Sequence, residues 1–239
     1  MTTPEQAAHD AAPVVNRLGG AFMMDASTFA RGAELGFDGY DFYVGGRGGA
    51  LGDVAGEVAA AAMVFFAPSV VVPAWDRAGA VMGRRAAADA FIACGHEWAR
   101  THLPADSARI AELVGRIVSG APVAGVPLFA AWRLVPEPTD APALALHRLF
   151  LLRELRGALH GAAVLTVGVT PHEATAYRAP DFVGVFGWPD PHPETEPIRE
   201  RWQLAEARTD RMVGRHFAAL TATERTELVD LLHAWSPNP

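Results

Sequence analysis

The sequence contains no lysine, and all 20 of its basic residues are arginine. This absence removes Schiff-base and pyridoxal-phosphate chemistry, lysine general bases and the lysine of a P-loop nucleotide site. No serine lies in the GxSxG elbow of a serine hydrolase. The sequence therefore excludes several common covalent and phosphate-binding mechanisms.

Cysteine and long apolar runs are also scarce. The single cysteine, Cys94, excludes a disulfide within the chain, which is typical of a protein from a reducing compartment. No apolar run reaches the roughly 18 residues that a bilayer-spanning helix needs. The N-terminal segment has no basic region before an apolar core, so we expect no signal peptide. We therefore predict a cytoplasmic protein with no membrane partner.

The charge balance is acidic. The formal net charge is −7, from 27 acidic and 20 basic residues. Contacts with phosphates supply most of the affinity of sequence-independent nucleic-acid binding, and these contacts need positive charge. From the net charge we predict that the protein has no nucleic-acid partner.

The composition favours a folded helical protein, since 50% of the 239 residues are hydrophobic. Caps, prolines and glycines mark where helices start and stop. A segment rich in proline and glycine, residues 180–197, predicts an irregular arm or a short hairpin. The predicted helices cover residues 4–18, 28–35, 53–66, 69–81, 84–102, 108–118, 128–134, 141–168, 170–179, 196–219 and 221–235.

These signals predict a mainly α fold, a multi-helix bundle with at most one short β-hairpin. We divide it into an N-terminal helical region with a glycine-rich turn, residues 1–138, and a C-terminal helical region, residues 139–239. We expect the two regions to pack as one globular unit.

The stretch 141–168 is apolar almost all the way round, which is typical of a buried helix. Arg153, Arg156 and His160 nevertheless lie at i, i+3 and i+7, on one narrow strip of its surface. Unpaired buried charge costs several kcal/mol, so these groups need partners. Two interpretations stay open: carboxylates of neighbouring helices pair with them, or they line a pocket and bind an anionic ligand. The candidate internal partners are Glu57, Asp89 and Glu97.

In the second interpretation, the pocket lies between this helix and the segment 40–51. Arginine binds carboxylates with two parallel hydrogen bonds, and histidine transfers protons near neutral pH. We therefore predict His160, Arg156 and Arg153 as catalytic residues. The predicted substrate-binding residues are Arg47, Tyr43, Tyr40 and Glu154.

Two other patterns are less specific. Gly46-x-Gly48-x-x-x-Gly52 follows a strand-like segment, 38–44, as in dinucleotide-binding units, but no further βα alternation follows, so a glycine-rich turn is favoured. His147 and Glu154 share a helix face, which is more typical of a structural hydrogen bond than of a metal site. The cofactor stays unknown, with haem or metal binding through His147 or His160 as an open alternative.

Three stretches follow one another in an order that resembles a known family. They are FYVGGRGGALG (42–52), the helix containing RELRGALH (153–160), and the helix containing EARTDR (206–211). They are similar to actinobacterial proteins described as helix-turn-helix or winged-helix-like. The resemblance implies a helical body with a degenerate winged-helix-like C-terminal part and no settled activity. The residues that match its motifs are Arg47, Gly52, Arg153, Glu154, Arg156, Gly157, His160, Glu206, Thr209, Asp210 and Arg211.

The predicted pocket with its arginines and histidine leads us to predict a small-molecule-binding enzyme of specialised metabolism. It would act on an anionic or carbonyl-bearing substrate by isomerisation, cyclisation, elimination or dehydration. The alternative is a ligand-responsive winged-helix-type transcription regulator, and a further alternative is a haem- or metal-dependent enzyme. The regulator would form a homodimer through the helix 196–219.

Overall fold

The computed structural model describes residues 2–235, and over that range it contains twelve α-helices, three short 3-10 turns and no strand. The predicted mainly α, multi-helix fold is confirmed. The helices are α1 (Pro4–Leu18), α2 (Ala26–Glu34), α3 (Asp41–Gly49), α4 (Gly56–Ala62), α5 (Pro68–Val81), α6 (Arg84–His102), α7 (Ala108–Ser119), α8 (Pro127–Trp132), α9 (Ala141–Thr166), α10 (Pro171–Arg178), α11 (Arg199–Phe217) and α12 (Ala222–Ala234).

The longest helix, α9, lies at the centre of the bundle. The Asp140 side chain caps its N-terminus by accepting a hydrogen bond from the backbone N–H of Ala143, and Pro142 stands in its first turn. Because α9 is apolar nearly all round, it packs against six helices at once: α1, α6, α7, α8, α10 and α11. This central position brings its few charged side chains next to several other elements.

The glycine-rich segment predicted as a strand and a turn is instead the helix α3. A Cβ atom on Gly46 would lie 2.6 Å from the Cβ of Phe91, and one on Gly49 would lie 2.2 Å from the carbonyl oxygen of Arg84. Both neighbours belong to α6, so the glycines let the two helices approach closely. Their role here is packing, and the segment forms no dinucleotide-binding turn.

Buried side chains from both predicted regions share one hydrophobic core. Phe91 and Trp132 of the first region pack in the same cluster as Phe150, Phe217 and Leu228 of the second. A smaller cluster lies where α9, α10 and α11 meet. The core therefore continues across the boundary near residue 138.

The arm between α10 and α11 contains two 3-10 turns, Pro180–Phe182 and Glu196–Ile198. It is held against the segment after α4 by several contacts, one of which is a hydrogen bond from the backbone N–H of Ala67 to the carbonyl oxygen of Phe186 at 2.8 Å. The indole N–H of Trp188 donates to the carbonyl oxygen of Phe65 at 2.8 Å, and the ring of Phe186 packs against that of Phe66 with centroids 4.2 Å apart. Of the helices in residues 2–235, none combines the length and apolar character required to cross a bilayer.

Candidate functional site

A cavity of about 510 Å³ lies between α1, α9, α10, α11 and the end of α4. Aromatic and aliphatic side chains form much of its wall. The apolar part comes chiefly from the segment after α4, from the arm and from α11, and includes Met63, Phe65, Phe66, Phe186 and Trp202. Ligand sites of proteins have this size and this largely apolar character. The cavity is therefore large enough for a small organic molecule.

One side of the cavity is built on a buried ion network around Glu154. Arg47 of α3 donates to this carboxylate from Nε to Oε1 at 3.0 Å and from Nη2 to Oε2 at 2.8 Å. Arg153 donates from Nη1 to Oε1 at 2.9 Å, and the third nitrogen of Arg47, Nη1, donates to the Tyr43 hydroxyl at 3.0 Å. The network fixes α3 against α9 and holds Tyr43 at the cavity wall.

Burial and pairing act in opposite directions on the charges of this network. Burial alone would lower the pKa of the Arg47 guanidinium, but the attraction of Glu154 outweighs it and raises that pKa. Burial alone would likewise raise the pKa of Glu154, yet the positive charges of Arg47 and Arg153 lower it below its usual value. Arg47 and Glu154 are therefore both charged at neutral pH.

Arg156 forms the second ion pair of the cavity. Its Nη2 donates to Oε2 of Glu206, on α11, at 3.0 Å. The Arg156 residue is only 9% exposed, and its Nε has no hydrogen-bond partner among the described residues. A buried N–H without a partner costs free energy. Arg156 is thus paired to the protein through Nη2, while its Nε is an unsatisfied buried donor.

His160 is a neutral imidazole at neutral pH. Desolvation lowers its pKa to about 4, and this effect outweighs the attraction of Glu206, whose Oε1 lies 3.9 Å from Nε2. Thr209 donates its hydroxyl proton to the carbonyl oxygen of Ala205 at 2.8 Å, so its oxygen accepts from Nδ1 of His160 at 3.0 Å. The proton therefore resides on Nδ1, which leaves the Nε2 lone pair as a hydrogen-bond acceptor.

A histidine–carboxylate pair joins α1 to α11 at the edge of the cavity. Nδ1 of His9 lies 2.7 Å from Oδ2 of Asp210. The hydrogen bond to Asp210 raises the pKa of His9, against a smaller desolvation effect. Sequence reasoning did not select His9, because a lone histidine in an alanine-rich helix carries no motif. Asp210 and Glu206 were named only through the family resemblance.

The structure brings most of the predicted site residues together. Six of them line the cavity: Tyr43, Arg47, Arg153, Glu154, Arg156 and His160. Tyr40 does not, because it precedes the first residue of α3 and its ring packs edge-on against Phe29 instead. Tyr43 and Arg47 are four residues apart on α3 and therefore share the face that reaches the cavity.

Both interpretations of the arginine strip hold in part, since Arg153 and Arg156 are paired and also line a cavity. The carboxylates that pair with them are Glu154 and Glu206, and not the expected Glu57, Asp89 or Glu97. Glu97 pairs instead with Arg100 on the surface. The partners differ from the expected ones because α11, which follows α9 by some 30 residues, returns to pack beside it.

His147 lies outside this cavity. It makes no hydrogen bond to Glu154, since seven residues correspond to about 10.5 Å along the helix axis. Its Nδ1 lies 3.1 Å from Nε2 of His96, and burial lowers the pKa of each imidazole to about 4. Within residues 2–235, no three or more His, Cys, Asp or Glu side chains are grouped so that they could hold a metal ion.

Comparison with known proteins gives one match. Residues 8–238 match the model of a family described as the helix-turn-helix family. The chain belongs to the helix-turn-helix family. No curated protein and no solved structure matches it significantly.

Membership of the helix-turn-helix family corrects one prediction. The net charge led us to predict that the protein has no nucleic-acid partner, and a family named for a DNA-binding motif overturns this. The error has a physical reason: net charge averages over the whole surface, whereas DNA contacts depend on where the cations lie. The family also favours the regulator over the enzyme, and no enzyme activity is named by the comparisons. The small-molecule ligand and the homodimer stay predictions.

Proposed function

We propose that this helix-turn-helix protein is a transcription regulator whose affinity for DNA responds to a small anionic ligand bound in the cavity. The observation that carries the proposal is the cavity itself, whose wall combines aromatic side chains with the guanidinium groups of Arg153 and Arg156. A helix-turn-helix protein needs no interior site of this kind to bind DNA. A ligand-responsive regulator does need one.

The charges at the cavity indicate the class of ligand. Four arginines line it, against the three carboxylates of Glu154, Glu206 and Asp210. His160 is neutral and adds no charge. The excess of positive charge favours an anion, while the aromatic wall favours an apolar body. We therefore propose a hydrophobic carboxylic acid as the ligand, with its carboxylate beside Arg156. The four arginines are Arg47, Arg153, Arg156 and Arg178.

The Arg156–Glu206 pair gives such a ligand a way to act. A ligand shifts a conformational equilibrium only by binding one state more tightly than the other. A carboxylate beside Arg156 would compete with Glu206, and Glu206 belongs to α11. Ligand binding would then weaken one of the contacts that hold α11 against α9. The position of α11 would consequently depend on whether the cavity is occupied.

Calorimetry with matched probes tests the ligand. The probes are aromatic and medium-chain carboxylic acids, each compared with its primary amide, which has the same shape and no charge. We expect an acid to bind at least about tenfold more tightly than its amide, and Arg156→Gln to remove this preference. Because Glu206 is 34% exposed at its side chain, the variant should leave it solvated and the protein folded. Equal affinity for acids and amides would overturn the ligand class.

DNA binding is tested separately with the same protein. We expect a labelled duplex to be bound at low salt, with an affinity that falls steeply as salt increases and that changes when the acid is added. Absence of binding to any duplex at low salt would overturn the regulator. A result that contradicts only the proposed ligand class would leave the proposed regulator function unaffected.

An acid/base enzyme remains the second candidate. The observation that favours it is the free Nε2 of His160, a base that faces the cavity beside Arg156. In that case the bound acid or a carbonyl compound would be converted during incubation. Chromatography of the recovered ligand distinguishes the two functions, because a regulator returns its ligand unchanged.

A further inference from the structure

The helix α11 has two chemically different faces. Its inner face carries Trp202, Glu206 and Asp210, which line the cavity. Its outer face carries arginines at positions 201, 208, 211 and 215, with Leu204 between the first two. Spacings of three, four and seven residues place these five side chains on one strip of the helix. We call this strip the arginine stripe.

The arginine stripe is solvent-accessible and only weakly neutralised. Arg211 is 64% exposed, and its nearest carboxylate, Glu5 on α1, lies 3.9 Å away. Arg201 is 39% exposed and lies 3.9 Å from Glu173 on α10. Exposed pairs at such distances contribute little binding energy. Arg215 is exposed as well. At the N-terminal end of the stripe, the acidic residue Glu200 precedes Arg201.

Two members of the arginine stripe are held in position by the end of α9. Arg201 donates from Nη1 to the carbonyl oxygen of Gly168 at 2.5 Å, and Arg208 donates from Nη1 to the hydroxyl oxygen of Thr166 at 3.1 Å. A guanidinium has five N–H donors, so each retains donors for an external partner. The stripe thus combines oriented and free arginines along about 21 Å of helix.

We propose that the arginine stripe of α11 contacts the sugar-phosphate backbone of DNA. The inference rests on the proposed DNA-binding function and names the surface that carries it. Guanidinium groups bind phosphates with paired hydrogen bonds, and backbone contacts fix the register of a protein on the duplex. The length of the stripe corresponds to about six base-pair steps at 3.4 Å each. Since the net charge is −7, such a local concentration of positive charge is what DNA binding requires of this protein.

The location of the stripe also links it to the cavity. Glu206 and Asp210 on the inner face are within two residues of Arg208 and Arg211 on the outer face. A ligand that separates Glu206 from Arg156 acts on the same rigid helix that presents the arginines. A movement of α11 would therefore move the stripe relative to the rest of the surface, without any further coupling element.

The test compares two triple variants with the same change in charge. One removes cations from the stripe (Arg208→Gln, Arg211→Gln and Arg215→Gln). The control removes three exposed arginines from α2 and α6 (Arg31→Gln, Arg85→Gln and Arg100→Gln), which also make surface contacts of their own. Fluorescence anisotropy with a random-sequence duplex of 30 base pairs gives the affinity at several salt concentrations. Circular dichroism and thermal unfolding establish that both variants are folded.

We expect the stripe variant to bind at least about tenfold more weakly at low salt. The slope of log affinity against log salt should fall in magnitude by about 2.7, since each lost phosphate contact contributes about 0.9. The control should keep the slope of the unmodified protein. An unchanged slope in the stripe variant would overturn the inference and leave DNA binding intact, with an acidic protein as the alternative partner of the stripe. Equal losses of DNA affinity in the stripe variant and the control would also overturn the inference. If the unmodified protein binds no DNA, both the inference and the proposed function are overturned.

Discussion

Arg47 on α3 and Glu154 on α9 form a two-pronged ion pair between residues 107 positions apart. The Glu154 side chain is 1% exposed and that of Arg47 is 12% exposed, so neither charge has much access to water. The pair connects the two predicted regions of the chain and forms the rigid side of the cavity. The carboxylate of the second ion pair, Arg156–Glu206, is 34% exposed and belongs to α11, a helix that a ligand could displace.

The difference between these pairs predicts different effects on stability. Glu154→Ala leaves two arginines in the interior without their carboxylate, and we expect it to lower the free energy of unfolding by about 3–5 kcal/mol. Glu206→Ala is the comparison, because it leaves only Arg156 without its partner and its carboxylate is 34% exposed, so we expect a smaller loss of about 1–3 kcal/mol. Urea denaturation measures both. Similar small losses would show that the Glu154 network is not a stabilising contact.

The buried histidines predict a loss of stability on mild acidification. The pKa values of His96, His147 and His160 are each lowered to about 4 in the folded protein, from an ordinary value of 6.5, chiefly by desolvation. Between pH 6.5 and about pH 4 the unfolded chain binds protons that the folded protein does not. The free energy of unfolding therefore decreases as the pH falls through this range. Each unit of pKa corresponds to about 1.4 kcal/mol, so the total loss is on the order of several kcal/mol.

Urea denaturation at a series of pH values between 7 and 4 tests this dependence. We expect the free energy of unfolding to begin to decrease near pH 6.5, above the range in which ordinary carboxylates titrate. His147→Leu removes one of the three groups, so its curve should be shallower over the same range. A stability that stays constant from pH 7 to pH 5 would contradict the prediction.

Two helical glycines should respond in opposite ways to alanine. A Cβ atom at Gly49 would lie 2.2 Å from the backbone oxygen of Arg84, whereas one at Gly157 would meet no atom within 4 Å. We expect Gly49→Ala to destabilise the protein by about 2 kcal/mol or more, because α3 and α6 must separate. Gly157→Ala should be neutral or stabilising by up to about 1 kcal/mol, as alanine favours helix. Thermal unfolding of the pair measures both; a comparable loss in both variants would refute the proposed packing role of Gly49.

Gly157 also offers a way to block the cavity. It lines the cavity wall, and the space above it is open. We expect Gly157→Leu to fold, since its side chain enters empty space, and to lose the binding of the carboxylate probes. Gly157→Ala, with its single methyl group, should retain most of that binding. Calorimetry on the two variants measures the difference, and undiminished binding by Gly157→Leu would place the ligand elsewhere.

Local signals in the sequence were sufficient for most of the helices. The capping boxes at Thr170 and Thr221 both form, and α1, α6 and the start of α9 occupy the predicted positions. These elements could be predicted because each depends on contacts within a few residues. The helix α3 could not, since glycine has a low helix propensity and only close packing against α6 compensates for it.

The sequence by itself determined that the fold is helical, that α9 is buried, and that arginines and a histidine share one strip of that buried surface. Only the tertiary structure decided which carboxylates meet them, because Glu206 reaches Arg156 across 50 positions of chain when α11 packs beside α9. It also decided that a cavity remains next to paired charges, and that the arginine-bearing face of α11 is turned away from that cavity. Periodicity is a property of neighbouring residues along the chain, whereas ion pairs and cavities depend on which helices pack together.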